Sequence, residues 1–324
     1  MKKKFLFITT IAVLSGAFAT FFNFKEPKKD LPLVAIANIG PLKDLELSIN
    51  GIQKELEEQG FIKDKTIRYE IADVAFDQSL IPQMVTNLKN HNPKIMVVIS
   101  TSIAQFAKGK IRDIPLVFHA ITDPQNAGLI KDKNQPDENM TGSSDMQDLN
   151  VILSFAKSLF PHSKTVGLLY STSENNDVVL LNMLRSAALS IGLSVLAIPI
   201  EQPRDISIRM QELKGKADFI YVGASAGIHS AMPTVSSEAK KMNIPIFDSE
   251  DQSVRDGLAL ASFGVNYEAV GRNTGKLIAK LLNGSDIKTL APIYPTLQEH
   301  KCFINKNQAE HYKIKIPENA IVTE

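Results

Sequence analysis

The chain has 324 residues, of which 44% are hydrophobic and 22% charged, and a formal net charge of +1. That length accommodates two α/β lobes, and that composition argues against a disordered chain or a repeat array. With 36 basic and 35 acidic side chains, the balance carries no nucleic-acid footprint, and no nucleic-acid partner is expected.

In chain order, Met1-Lys2-Lys3-Lys4 precedes an apolar run from Phe5 to Phe22, and Ala17-Phe18-Ala19 offers the small-x-small pattern that signal peptidase accepts. Residues 1–19 are read as a cleavable secretory signal and residues 20–30 as an N-terminal extension. The alternative is an uncleaved anchor, because the run approaches the roughly 20 residues that span a bilayer. The only cysteine, Cys302, stands beside Phe303 and Ile304 and reads as a buried small hydrophobe. An exported protein with one cysteine has no intramolecular disulfide, and no cysteine near the signal can carry a lipid. A freely diffusing periplasmic monomer is expected.

Beyond residue 30, short β-branched runs alternate with amphipathic segments: Leu33–Asn38, Asp44–Gln59, Thr66–Ala72, Gln78–Asn90, Lys94–Ser100. Such alternation predicts βαβ units around parallel sheets. In the first helix Leu45, Ile49, Ile52 and Leu56 fall on one face and Gly60 follows as a C-cap. A second helix starts at Asn176-Asp177, carries Leu180, Leu181, Leu184, Ala188 and Ile191, and closes at Gly192.

The segment 94–118 reads strand, helix, then Ile114-Pro115 opening another strand. The segment 218–247 repeats the plan, with Ile244-Pro245 in the same place. Two similar α/β halves imply two doubly wound parallel-sheet lobes. Between them lies the polar loop 131–139, followed by Met140-Thr141-Gly142-Ser143-Ser144 as a first hinge strand.

In doubly wound sheets ligands bind beyond the carboxyl ends of the strands, where helix N-termini favour anionic groups. The strand ends of this chain are rich in small polar residues: Ser100-Thr101-Ser102, Thr122-Asp123, Ser171-Thr172-Ser173-Glu174-Asn175, Ser225, and Ser249-Glu250-Asp251. Helix capping explains any one of them. Their recurrence at the same point of both halves favours a shared cleft. Asn38, ending the first strand, and His119, ending the strand after Pro115, complete the candidate ligand-binding set.

Several stretches resemble the family of ABC-transporter substrate-binding proteins associated with aromatic amino acids. They are Val117–Pro124 (VFHAITDP), Thr141–Met146 (TGSSDM), Lys164–Tyr170 (KTVGLLY), Phe247–Val254 (FDSEDQSV) and Phe263–Lys276 (FGVNYEAVGRNTGK). The resemblance covers nearly the whole chain after the signal, in order. It implies a type I, ribose-binding-like periplasmic fold with three crossovers. It also implies that the last helix of the first lobe lies near Tyr267–Leu282. The boundaries that follow are 31–141 and 258–292 for the N-terminal lobe, and 142–257 and 293–324 for the C-terminal lobe. The implied function is capture of a small molecule between the lobes and delivery to an ABC permease in the inner membrane, with no enzymatic activity, cofactor or metal. An amino acid or related carboxylate is expected, aromatic on the strength of the resemblance.

Its carboxylate would sit on amides and hydroxyls at Ser100–Ser102 and Ser171–Ser173. Its ammonium would need Asp123, Glu250 or Asp251, with Glu250 and Asp251 preferred. The chain departs from the family at Ala224-Ser225-Ala226, where Thr-Asp-Asn is usual, so a ligand without an ammonium group, such as a keto acid, stays open. The loop Asn38-Ile39-Gly40-Pro41 likewise lacks the expected charged or aromatic residues.

Three other readings follow from local features. Gly223-Ala224-Ser225-Ala226-Gly227 matches the G-x-S-x-G nucleophile elbow, which Asp248 or Asp251 and His300 would complete as a serine hydrolase. His300, Cys302 and His311 could supply metal ligands, though at no familiar spacing. A module that binds the same ligand but signals to a membrane receptor would share every feature above.

Overall fold

Residues 31–324 are described by a computed structural model; the expected signal and extension lie outside them. The aliphatic runs become strands buried along their whole length: β1 (Leu33–Asn38), β3 (Ile95–Ile99) and, but for Ala120, β4 (Leu116–Ile121). Such near-continuous apolar strands belong to parallel sheets covered on both faces. With the edge strand β2 (Arg68–Asp73) and with β5 (Met140–Ser144) they form a five-stranded, wholly parallel sheet of order β2-β1-β3-β4-β5.

Helices α1 (Lys43–Glu58), α2 (Ile81–Asn90) and α3 (Thr101–Lys110) fill the connections. The stripe Leu45, Ile49, Ile52 and Leu56 of α1 is buried, and Gly60 closes the helix at φ 90°. The second lobe runs through α4 (Leu149–Leu159), β6 (Thr165–Ser171), α5 (Asn175–Ser190), β7 (Ser194–Ile200), α6 (Ile206–Arg209) and β8 (Phe219–Val222). It continues through α7 (Ala226–His229), α8 (Met232–Met242), β9 (Ile246–Asp248), α9 (Asp251–Arg255) and β10 (Ala261–Val265). The chain then returns to the first lobe as α10 (Tyr267–Leu282). It ends in the second with β11 (His300–Asn305), α11 (Lys306–His311) and β12 (Ile321–Thr323).

The second sheet has the order β12-β11-β10-β9-β8-β6-β7. Its segment β7-β6-β8-β9-β10 reproduces the first sheet's order, so the internal repeat read in the sequence is a repeat of topology. Only the pair β10 and β11 is antiparallel among the described strands. Each sheet has its own apolar core, one in the first lobe and one on either face of the second.

The lobe boundaries differ from those expected. Gly142 and Ser143 pair with Phe118 and His119, so β5 completes the first sheet rather than opening the second lobe. Ala261 and Ser262 pair with Phe247 and Asp248, which puts β10 in the second sheet and not in a first-lobe segment starting at 258. The crossovers therefore fall between β5 and α4, at Asn266, and between Ile293, which still pairs with Ser143, and β11.

Helix α10 lies backbone to backbone on α1. A Cβ on Gly51 would stand 2.3 Å from the Glu268 carbonyl oxygen, and one on Gly271 would stand 2.0 Å from the Ser48 carbonyl oxygen. This contact fixes the azimuth of α1 and with it the direction of its first turn. Among the described residues no helix is long and apolar enough to cross a membrane.

Candidate ligand-binding site

In both sheets the order reverses between the first strand and its two neighbours, and ligands of doubly wound folds bind at that point beyond the carboxyl ends. The two switch points face each other. Between them lies a narrow cavity of about 40 Å³. The first lobe lines it with Ile39, Leu42, Leu45, Gln78, Ser100, Thr101, Ser102, Ala120 and Thr122. The second contributes Glu174, Asn176, Ala224, Ala226 and Glu250, and the crossovers add Asp145 and Tyr267. Ile39, Gln78, Glu174 and Ala226 also border an outer chamber of about 450 Å³, lined in addition by Phe76, Ser171, Ser173 and Ile200.

One side of the cavity favours an anion. The first-turn amides of α3 have no partners within the helix, and its dipole adds partial positive charge. Ser100, which precedes it, has φ 82°, a strained value for a residue with a side chain, and its buried Oγ has no partner. Ala120, at a bulge in β4, is also left-handed at φ 52°.

The opposite side is acidic. Asp145, 4% exposed, accepts from the Tyr267 hydroxyl at 3.1 Å on Oδ2 and has no partner on Oδ1. Burial lifts its pKa to about 6, against the pull of that hydroxyl. Burial also lifts the Tyr267 hydroxyl well above its ordinary range, and Asp145, Glu250 and Asp44 add to the shift.

Glu250 donates its backbone N–H to Asp248 Oδ1 at 3.0 Å and stands 3.6 Å from His229 Nδ1. Burial raises its pKa, with His229 opposing and Asp248 reinforcing. His229 is held between the Ser225 carbonyl at Nδ1 and Asp248 Oδ1 at Nε2, both at 2.9 Å. Although burial disfavours its charge, Glu250 and Asp248 hold its pKa well above the usual histidine range, so it is an imidazolium with both N–H groups engaged. Asp44, in the first turn of α1 and 1% exposed, has no donor on either carboxylate oxygen.

Of the residues singled out from sequence, Ser100, Thr101, Ser102, Thr122, Glu174 and Glu250 meet at this cavity. Glu174 has a second task, since its carboxylate accepts from Gly227 N at 2.8 Å and Ala226 N at 3.1 Å and so caps α7. Ser171 and Ser173, whose hydroxyls bond each other at 3.0 Å, border only the outer chamber.

The remaining candidates lie elsewhere. His119 is fully buried between the Thr274 hydroxyl at 2.7 Å and the Ser48 hydroxyl at 2.8 Å, and burial drives its pKa to about 3. It fastens β4 to α1 and α10. Asn38 closes its own turn through the Gly40 carbonyl and the Ile39 amide. Asp123 caps the turn at Gln125 and Asn126. Asp251 pairs with Arg255 at 2.6 Å on the surface of α9. The neighbour of Asn175, Asn176, reaches the cavity in its place and donates to the Ala224 carbonyl at 2.9 Å. Ser249 lies behind it, in a small recess beside Asp145 and Tyr221. The backbone amide of Thr172 bonds the Ile200 carbonyl.

The elbow reading of Ser225 meets a different geometry. Its Oγ lies 3.4 Å from Glu174 Oε1 and from the Ile228 amide, as an N-cap does, while both nitrogens of His229 are engaged elsewhere. His300 bonds the Thr296 carbonyl and His311 bonds Asn243, while Cys302 is buried in β11. Among the described residues no three His, Cys, Asp or Glu side chains are grouped to hold a metal.

Asp145, Tyr267, Gln78 and Asn176 line the site, and His229 stands beside Glu250, without any of them having been assigned a role from sequence. Asp145 and Tyr267 lie within the stretches that carry the family resemblance. Asp44 reads in sequence as an ordinary first-turn acid.

The profile described as "ABC transporter substrate binding protein" matches residues 34–324. A protein named "Tyrosine-binding protein" from Clostridioides difficile is 30% identical over 292 residues, covering 90% of this chain and 84% of its own length. The structure of an ABC domain in complex with L-Trp from Streptococcus pneumonia superposes with TM-score 0.85 at 30% identity, covering 91% of this chain and 100% of that one. The ligand-free, open structure of a substrate-binding protein with adhesive properties from Clostridium difficile superposes less well, with TM-score 0.71 at 28% identity, covering 91% and 99%. At nearly equal identity the present arrangement of lobes is thus nearer to the ligand-bound neighbour than to the open one. A two-lobed α/β fold, a cleft at paired switch points and a family match over residues 34–324 agree: the chain belongs to the ABC transporter substrate-binding protein family.

Proposed function

We propose that this protein captures a free α-amino acid between its lobes and delivers it to an ABC permease, working outside the cytoplasmic membrane after removal of residues 1–19. The observation that carries the reading is the pairing, across one cavity, of unpartnered buried acids with an open helix N-terminus. Asp145 and Glu250 accept the ammonium, and the α3 amides with the Ser100 hydroxyl take the carboxylate. The aspartate missing from the loop at Ala224-Ser225-Ala226 is thereby replaced from other elements. The side chain points along the aliphatic wall of Ile39, Leu42 and Leu45 toward the outer chamber with Phe76 and Ile200, which has room for an aromatic ring. Relatives whose names and titles refer to tyrosine and L-Trp support an aromatic ligand.

A thermal-shift screen of amino acids, their deaminated analogues, sugars and nucleosides tests this. A bound ligand at 100 times its dissociation constant adds about 2.7 kcal/mol of stability. L-Tyrosine or L-tryptophan should raise the melting temperature and their deaminated analogues should not. A response to sugars or nucleosides alone overturns the reading.

A further inference from the structure

Beside the acidic side of the cavity stands a cation that belongs to the protein. His229 ends α7, is 7% exposed, and has both ring nitrogens engaged. Nδ1 meets the Ser225 carbonyl and Nε2 meets Asp248 Oδ1, each at 2.9 Å. A backbone carbonyl only accepts, so Nδ1 carries a proton. Asp248 Oδ1 accepts from the Glu250 amide at 3.0 Å, and as a carboxylate oxygen it also accepts from Nε2, which carries the second proton. The hydrogen-bond pattern therefore assigns an imidazolium to His229, and Glu250 Oε1 lies 3.6 Å from its Nδ1.

The other charges that reach this pair are acids. Asp145 and Asp248 act on Glu250, Asp44 on α1 acts on both groups, and Asp177 on α5 acts on His229. Asp251 is paired with Arg255, and the Tyr267 hydroxyl donates to Asp145. An opposite charge within about 4–6 Å favours the ionised form of a carboxyl group, and burial among like charges favours the neutral one. Glu250, 7% exposed, is subject to both, with His229 alone of these neighbours on the ionising side.

We propose that His229 is the positioning residue of the ammonium site: a resident imidazolium, anchored by Asp248 and the Ser225 carbonyl, that keeps Glu250 ionised and in place while the site is empty. The inference rests on the amino-acid reading above and adds to it the residue through which Glu250 is prepared. His229 does not line the cavity, so it meets the ligand only through Glu250. One imidazolium is shared by the carboxylates of Asp248 and Glu250, so the cluster keeps one net negative charge. The ligand's ammonium balances it, and a ligand without an ammonium does not.

The sign of the pH effect follows. Burial raises the pKa of Glu250, His229 opposes the rise, and Asp248 reinforces it. Removing the imidazolium leaves the raising causes in place, so Glu250 holds its proton to higher pH than in the wild type. Ammonium binding requires the ionised carboxylate, and the proton then competes with the ligand. A variant without the imidazolium therefore loses affinity as pH falls through a range where the wild type is flat.

Titration calorimetry of His229→Gln with L-tryptophan and L-tyrosine between pH 7 and pH 8.5 tests this. Wild-type affinity should be constant over that range, whereas the variant should lose up to about tenfold per pH unit as pH falls. In a Glu250→Gln background the same substitution should change affinity no further, because His229 acts through that carboxylate. Nitrogen NMR of the wild-type imidazole keeps the proposal testable if the variant folds poorly: both ring nitrogens should stay protonated from pH 5 to pH 8.5. Loss of a ring proton within that range overturns the proposal. So does a loss of affinity in His229→Gln that is equal at pH 7 and pH 8.5 and persists in the Glu250→Gln background. Failure of the amino-acid reading is distinguishable, because then neither amino acid binds the wild type at any pH.

Discussion

Replacing Asp145 by Asn and Glu250 by Gln together is expected to weaken binding of the cognate amino acid about a thousandfold, while leaving the melting temperature of the empty protein unchanged or higher. Each charge-assisted hydrogen bond to an ammonium contributes about 2 kcal/mol, and every 1.4 kcal/mol is tenfold in affinity. The effect on folding has the other sign because both carboxyls are buried, with pKa values already raised by desolvation. Removing the two charges relieves their repulsion with each other and with Asp248, while Asp248 continues to pair with His229. Titration calorimetry and a melting curve on the same preparation read both quantities. Loss of affinity accompanied by an equal loss of stability would mean that the acids serve the fold and not the ligand.

Affinity should also fall in acid, by up to tenfold per pH unit for each carboxylate that titrates. The free protein holds Asp145 at about 6 because burial disfavours its charge, whereas a bound ammonium requires it ionised and depresses its pKa. Below pH 6 the ligand must therefore displace a proton, and above about pH 7 the dependence on Asp145 vanishes. His229 stays charged throughout, so it adds no opposing step. Calorimetry in buffers of different ionisation heat counts the protons released, and Asp145→Asn should remove this part of the profile. Affinity constant from pH 7 to pH 5 would contradict the assignment.

Both predictions rest on groups that sequence reading reached unevenly. The βαβ alternation and the repeated Ile-Pro strand starts at Ile114 and Ile244 were legible, because strand and helix periods are local properties. The order β2-β1-β3-β4-β5, repeated as β7-β6-β8-β9-β10, follows from that repeat. Polar residues after strands were legible as a class, and Ser100, Thr122 and Glu250 reach the cavity.

What failed was the choice among polar residues, since capping and ligand binding use the same side chains. Asp123 and Asp251 satisfy neighbours within four positions, which any sequence permits and none announces. His119 looked like a cleft residue because it lies on a strand near its carboxyl end. Its direction into the α1 and α10 interface is set by hydroxyls 71 and 155 positions away. Asp44 was hidden for a related reason. A first-turn acid normally faces solvent beside the helix dipole, whereas Asp44 is 1% exposed on a helix packed backbone to backbone against α10. Lobe boundaries missed by a few residues because β5 and β10 adjoin crossovers, and which sheet such a strand joins depends on pairing that no local pattern encodes.

The orientation of the ligand is the central claim, and the structure of the protein crystallised with L-tryptophan or L-tyrosine tests it most directly. The ammonium is expected within about 3 Å of Asp145 and Glu250 and the carboxylate on the first-turn amides of α3 beside Ser100. A ligand bound the other way round, or held with its ammonium far from both acids, would contradict it.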